Sequence, residues 1–235
     1  MPVPVGDTNP AKRIVLFLAL LAMAIVTASI FAFNVWRSRS SPSSSVTTSV
    51  APPVERTLTY WITVQKFKDG KPYQDPFPLA GEINFEASYH IRVHIRSPEE
   101  GYLYIFNEGP PTPSATTEYV VVFPSTTANN NSSLVSAGQE VQIPEKTWLE
   151  FDKQQGIEKL WLVFSKEAVA ELETARQAAS PESKNLITDA GQNKVVQDFL
   201  ARNSIRKPDA EKGATQTILK SPEKLLVYAV KLEHH

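Results

Sequence analysis

Tyr89-His90-Ile91-Arg92-Val93-His94-Ile95-Arg96 alternates without a break between apolar and polar side chains. A period of two puts Ile91, Val93 and Ile95 on one face of a β-strand and His90, Arg92, His94 and Arg96 on the other. Ser97-Pro98-Glu99-Glu100-Gly101 then turns the chain into Tyr102–Phe106, an apolar run suited to a central strand.

Working outward, the same texture recurs. Thr57–Val64 is rich in β-branched and aromatic residues and runs into Lys68-Asp69-Gly70-Lys71-Pro72, whose Asp-Gly reads as a turn. Glu118–Phe123 reads as a buried strand stopped by Pro124, after a proline-, glycine- and threonine-rich loop from Asn107 to Thr117. Gln139–Ile143, Trp148–Phe151 and Ile157–Phe164 follow as short strands, and Asn129–Ser133 is a polar loop. Helical spacing enters only at Glu167–Ala179, through Ala168, Leu172, Ala175 and Ala179, and again at Gln192–Asn203. Thr215–Leu219 and Leu225–Leu232 close the chain as strands on either side of Ser221-Pro222. The expected fold is mainly β, a β-sandwich or open barrel with two short helices near the C-terminus.

Ile14–Phe33 is of a different kind. Its twenty residues hold no charge, proline or glycine, and a helix of that length spans about 30 Å, the hydrocarbon thickness of a bilayer. A cleaved signal peptide has a shorter apolar run and ends on small residues, whereas this one ends on Phe31-Ala32-Phe33-Asn34-Val35-Trp36. It reads as an uncleaved transmembrane anchor. Ala24, Ala28 and Ala32 form a small-residue stripe on it that would let another membrane helix approach. Basic residues flank both ends nearly equally. The short N-terminal tail and the Ser/Thr/Pro tether Ser38–Pro53 favour an N-terminus inside and the main domain outside the cytoplasm. The expected organisation is a cytoplasmic tail at 1–13, the membrane helix at 14–36, a linker at 37–56 and an extracytoplasmic, periplasmic β domain at 57–235.

The chain carries 24 basic and 25 acidic residues, a net charge of −1. Residues 1–39 carry +3 (Lys12, Arg13, Arg37 and Arg39 against Asp7), so the rest carries −4. A mildly acidic domain argues against nucleic acid as a partner. The absence of cysteine removes disulfides, thiolate chemistry and the usual structural zinc sites.

No motif for chemistry stands out. His90 and His94 share a strand face but lie about 13 Å apart at strand rise, too far to hold one metal ion. With Arg92 and Arg96 they form an outward polar row, read as solvated and as a candidate interaction face. His234 and His235 read as a terminal tail. The chain has no G-x-S-x-G elbow, and Glu99-Glu100 sits in turn-like sequence. Trp61, Trp148 and Trp161 fall in strands and read as core. The expectation is a non-enzyme with no cofactor and no metal.

Gly101-Tyr102-Leu103-Tyr104-Ile105-Phe106-Asn107, Phe123-Pro124, Ala137-Gly138 with Ile143-Pro144, and Gly156–Ser165 resemble the bacterial family called domain of unknown function 4384. Tyr60–Gln65 and Ala80–Phe85 are similar to the segment preceding that domain in acidobacterial-type members. The resemblance covers roughly residues 57–166, leaving 167–235 as an extension. It implies a predominantly β domain, often attached to a membrane helix and in relatives fused behind a kinase or caspase-like module. The glycine-rich loop, HRD and DFG of a kinase are absent here, and the family has no established catalytic residues to carry over.

Together these readings point to a single-pass accessory or scaffolding subunit in contact with the lipid bilayer and other membrane proteins, with self-association compatible. The alternative is an extracytoplasmic sensor or binding module for an envelope ligand, a glycan or a peptide. A solvent-open pocket lined by the tryptophans would favour the alternative. The anchor is checked by alkaline carbonate washing of membranes. The full chain should stay in the pellet and a chain lacking 14–36 should be released; release of the full chain would refute the anchor.

Overall fold

The computed structural model describes residues 55–111, 117–126, 128–151 and 154–235. The expected anchor and tether, with Ala24, Ala28 and Ala32, lie outside the described residues. Among the described residues no helix is long and apolar enough to cross a membrane.

The strands are β1 (Arg56–Lys68), β2 (Lys71–Pro72), β3 (Phe77–Pro78), β4 (Asn84–Phe85), β5 (Tyr89–Arg96), β6 (Gly101–Glu108) and β7 (Tyr119–Phe123). They continue as β8 (Leu134–Val135), β9 (Glu140–Ile143), β10 (Leu149–Glu150), β11 (Gly156–Ser165), β12 (Asp209–Lys212), β13 (Gln216–Ser221) and β14 (Leu225–His234). Two α-helices, α1 (Ala170–Gln177) and α2 (Ala190–Asn203), lie between β11 and β12. The first sheet runs β10-β5-β1-β13-β12, with β2 and β3 on β1 and β9 on β5. The second runs β4-β14-β11-β6-β7, with β8 on β6. All pairings are antiparallel except β4 on β14.

The mainly β expectation is met as two sheets sharing one core. Leu58, Ile62 and Val64 of β1 and Ile91, Val93 and Ile95 of β5 pack with Leu103, Ile105, Leu160, Leu162 and Phe164 of β6 and β11. The second sheet is buried on its other face too. Tyr104, Phe106, Tyr119, Val121 and Val163 meet Leu172 and Ala175 of α1 and Val196, Phe199 and Leu200 of α2. This is why β6, β7 and β11 read as apolar runs while β5, with one face outward, alternates.

Polar contacts seat the helices. The Tyr104 hydroxyl donates to Glu173 Oε1 at 2.9 Å and accepts the Val169 N–H at 3.0 Å. The same carboxylate accepts from Ser133 and pairs with Arg176 at 2.6 Å. Burial alone would raise the Glu173 carboxyl, but the bonds from Ser133, Tyr104 and Arg176 outweigh it and hold it low. Asp189 caps α2 by accepting the Gln192 N–H at 2.8 Å, so the helix starts two residues before the apolar pattern shows it.

Several boundaries differ from expectation. β1 continues past Val64 because Gln65, though buried, satisfies its amide on the carbonyls of Lys66 and Gln74. The hairpin at Asp69-Gly70 forms as read, with φ of 53° and 73° at these residues. Asn107 and Glu108 belong to β6, paired with Leu160 and Lys159, and not to a loop. Strand β12 was not anticipated, since its four exposed residues carry no apolar alternation.

The C-terminus is not a loose tail. His234 is buried, its ring lies 5.1 Å from Phe151, and its Nδ1 is 3.2 Å from the Gln154 carbonyl.

Gly101 enters β6 where a Cβ would lie 2.6 Å from both the Phe164 ring and the Ser165 carbonyl oxygen. Backbone cannot swing aside as a flexible side chain can. Gly101→Ala should therefore cost about 1–3 kcal/mol, the range for overpacking, read as a lower urea midpoint. An unchanged midpoint would show that the sheet yields at this crossing.

Candidate functional site

The row His90, Arg92, His94 and Arg96 lies on the outer face of the first sheet, as the alternation requires, but it is not simply solvated. Cross-strand register sets Trp61 opposite His94, Thr63 opposite Arg92 and Gln65 opposite His90. Directly opposed side chains in an antiparallel pair sit within contact distance; Trp61 meets His94 in this way, while Phe67 reaches His90 and Trp148 reaches Arg92 from neighbouring positions.

His94 stacks on Trp61 with centroids 5.0 Å apart and planes within 6°. Its Nδ1 is 3.2 Å from Glu140 Oε1 on β9 and its Nε2 is 3.0 Å from the Thr63 hydroxyl. These contacts leave His94 only 8% exposed, which corrects its reading as a solvated residue. The Arg92 guanidinium lies 4.1 Å from the centre of the Trp148 ring, and it donates to the carbonyls of Thr147 at 2.7 Å and Lys146 at 3.1 Å. His90 stacks on Phe67 at 3.9 Å, with Glu150 at 3.9 Å. Arg96 alone is fully exposed.

The face is therefore a row of three flat pairs, Phe67–His90, Trp148–Arg92 and Trp61–His94. A guanidinium or imidazole held against a ring loses little further entropy on binding, and the Arg92 guanidinium offers both apolar area and charge. Burial against Phe67 lowers the His90 pKa, only partly offset by the Glu150 carboxylate.

All three tryptophans are half-buried; Trp61 and Trp148 do not form core as expected, whereas Trp161 packs against the helix-side core. Trp161 lies on the second sheet, where its indole N–H donates to Glu108 Oε2 at 2.6 Å, while Lys159 pairs with Glu108 Oε1 at 2.5 Å. The Tyr119 hydroxyl reaches the same carboxylate at 3.4 Å, and burial, then the Glu108 charge, push that phenol upward. This cluster escaped the sequence reading because β6, β7 and β11 each contribute to it, and no local spacing signals a three-strand meeting. Phe67 and Glu140 escaped for the same reason. Trp61 and Trp161 both line an open groove of about 980 Å³. Among the described residues no three His, Cys, Asp or Glu side chains come together as metal ligands would.

The family model described as "Domain of unknown function (DUF4384)" matches residues 84–168. The match spans β4 to β11 and so takes in His90, Arg92, His94, Arg96, Glu140, Trp148 and Trp161. No curated protein and no solved structure matches the chain.

A histidine whose folded pKa is lowered takes up its proton less readily than the unfolded chain does. Its stabilising contribution is complete above the ordinary value of about 6.5 and is lost as pH falls below it. His90→Gln removes this titration. Urea midpoints between pH 7 and 5 should fall less in the variant than in the native chain, and an equal fall would refute the buried-imidazole assignment.

Proposed function

We propose that this chain is a membrane-anchored, non-catalytic interaction module that serves as an accessory or scaffolding subunit of a membrane protein assembly. The observation that carries the reading is the row of stacked pairs on the outer face of the first sheet. Isolated surface arginines and histidines move freely, but Arg92 and His94 are clamped by rings and by carbonyl, hydroxyl or carboxylate partners. Interfaces use such preordered aromatic and arginine anchors, because little side-chain freedom is lost on docking. The twenty-residue apolar run at Ile14–Phe33 supports a bilayer location, with the main domain extracytoplasmic and the Ala24, Ala28, Ala32 stripe available to a neighbouring helix.

A second reading is favoured by a different observation. The groove shared by Trp61 and Trp161 is open and large enough for a ligand, and supports a sensor or binding module for a glycan or peptide in the envelope.

Gentle detergent extraction of the full chain from its native membrane, followed by native electrophoresis and mass spectrometry, tests the first reading. The expected result is stoichiometric co-migration with other membrane proteins, weakened at least about tenfold when Arg92→Ala and Trp148→Ala remove one anchor pair. Migration of the native chain as a lone monomer would sink the subunit reading.

A further inference from the structure

Among the described residues, the second sheet ends on a strand edge that is mostly unpaired, with Val227 buried and Lys231 exposed. β4 pairs with only Glu233 and His234 of β14. His235 donates its N–H to the Phe85 carbonyl at 2.9 Å. Backbone groups alternate in direction along a strand, so the odd-numbered residues of β14 turn their N–H and C=O toward this edge. The register of β14 on β11 runs from Leu225 to His234 without a shift, which carries that parity back along the strand. Among the described residues, the edge-facing groups of Val227, Ala229 and Lys231 find no hydrogen-bond partner.

This edge lies in the groove that Trp61 and Trp161 share. Four lysines line the groove (Lys159, Lys207, Lys212 and Lys231) against two glutamates, Glu82 and Glu233. Lys159 is occupied by Glu108, and Lys212 faces Glu82 at 3.5 Å. Lys207 and Lys231 have no carboxylate partner among the described residues. An open edge is normally cut short, covered or charged to prevent pairing. Lys231 is such a charge, and it repels a basic strand while attracting an acidic one.

The geometry points to an extended, acidic segment of a partner protein that adds to the second sheet as a strand along Val227–Lys231. Main-chain hydrogen bonds to Val227, Ala229 and Lys231 supply affinity, and alternate side chains of the segment fall toward the lysines or the groove's rings, the division of labour of β-strand addition. β4 shows that the same edge already accepts a strand at its far end. The inference rests on the second reading above and gives it a ligand class. The outer face of the first sheet plays no part in it.

The test uses the full chain in detergent and two fluorescent heptapeptides, Val-Glu-Val-Glu-Val-Glu-Val and the same peptide with lysine for glutamate. The acidic peptide should bind at least about tenfold more tightly than the basic one and slow amide exchange in 225–234, since an added strand protects edge amides. Ala229→Pro removes an N–H that β11 does not use. It should weaken the acidic peptide at least about tenfold with the thermal midpoint nearly unchanged, because proline is tolerated on an edge. Lys231→Glu, which does not depend on that tolerance, should invert the preference between the peptides.

Native affinity in Ala229→Pro would overturn strand addition while leaving a groove ligand open. Equal binding of both peptides would overturn the charge assignment. Slow exchange of the Val227, Ala229 and Lys231 amides in the free protein would show the edge already taken, by the chain's own segment or a second copy, and would overturn the proposal as a whole.

Discussion

The burial of the second sheet on both faces is the constraint from which the rest of the architecture follows. One face of β6 and β11 meets the first sheet through Leu103, Ile105, Leu160, Leu162 and Phe164. The other meets α1 and α2 through Tyr104, Phe106 and Val163. A strand with apolar side chains on both sides cannot leave either to water at roughly 25 cal/mol per Å². The extension beyond the family-like segment is thus part of the structure: residues 167–203 supply the helical cover that the apolar runs at 102–106, 119–123 and 157–164 require.

That arrangement decides which sheet face is left without apolar cover. Among the described residues no helix packs on the first sheet, and its outer face pairs rings with a guanidinium and two imidazoles across neighbouring strands. Trp148 with Arg92 shields an apolar ring while keeping a polar group within reach of solvent, and Trp61 with His94 buries an imidazole whose two nitrogens face Glu140 and Thr63.

The second sheet closes its two edges differently. At β7 the backbone is bridged by Asn185 and Ile187, which bond to Val121 and Tyr119. At β14 the two-residue β4 covers one end and leaves the middle bare. The two helices enter the chain after β11 and return it to β12 and β13 in the first sheet, before β14 joins the second sheet beside β11.

Much of this was legible in the residues. Period-two alternation placed β5 within its observed limits, apolar runs located β6, β7 and β11, and Asp69-Gly70 marked its hairpin, because each depends on neighbours in the chain. The −4 charge of residues 40–235, the lack of cysteine and the apolar run at 14–33 are likewise properties of the sequence itself. Pairing across strands is not local. That His94 is stacked and buried, that Trp61 and Trp148 lie on the outer face of the first sheet, that Glu108, Tyr119, Lys159 and Trp161 meet, and that β14 is mostly unpaired on one side among the described residues all depend on register and strand order. The alternation determined which side of its strand each residue takes; only the tertiary structure decided what stands opposite it, because residues far apart in the chain become neighbours only when the sheets pair and pack.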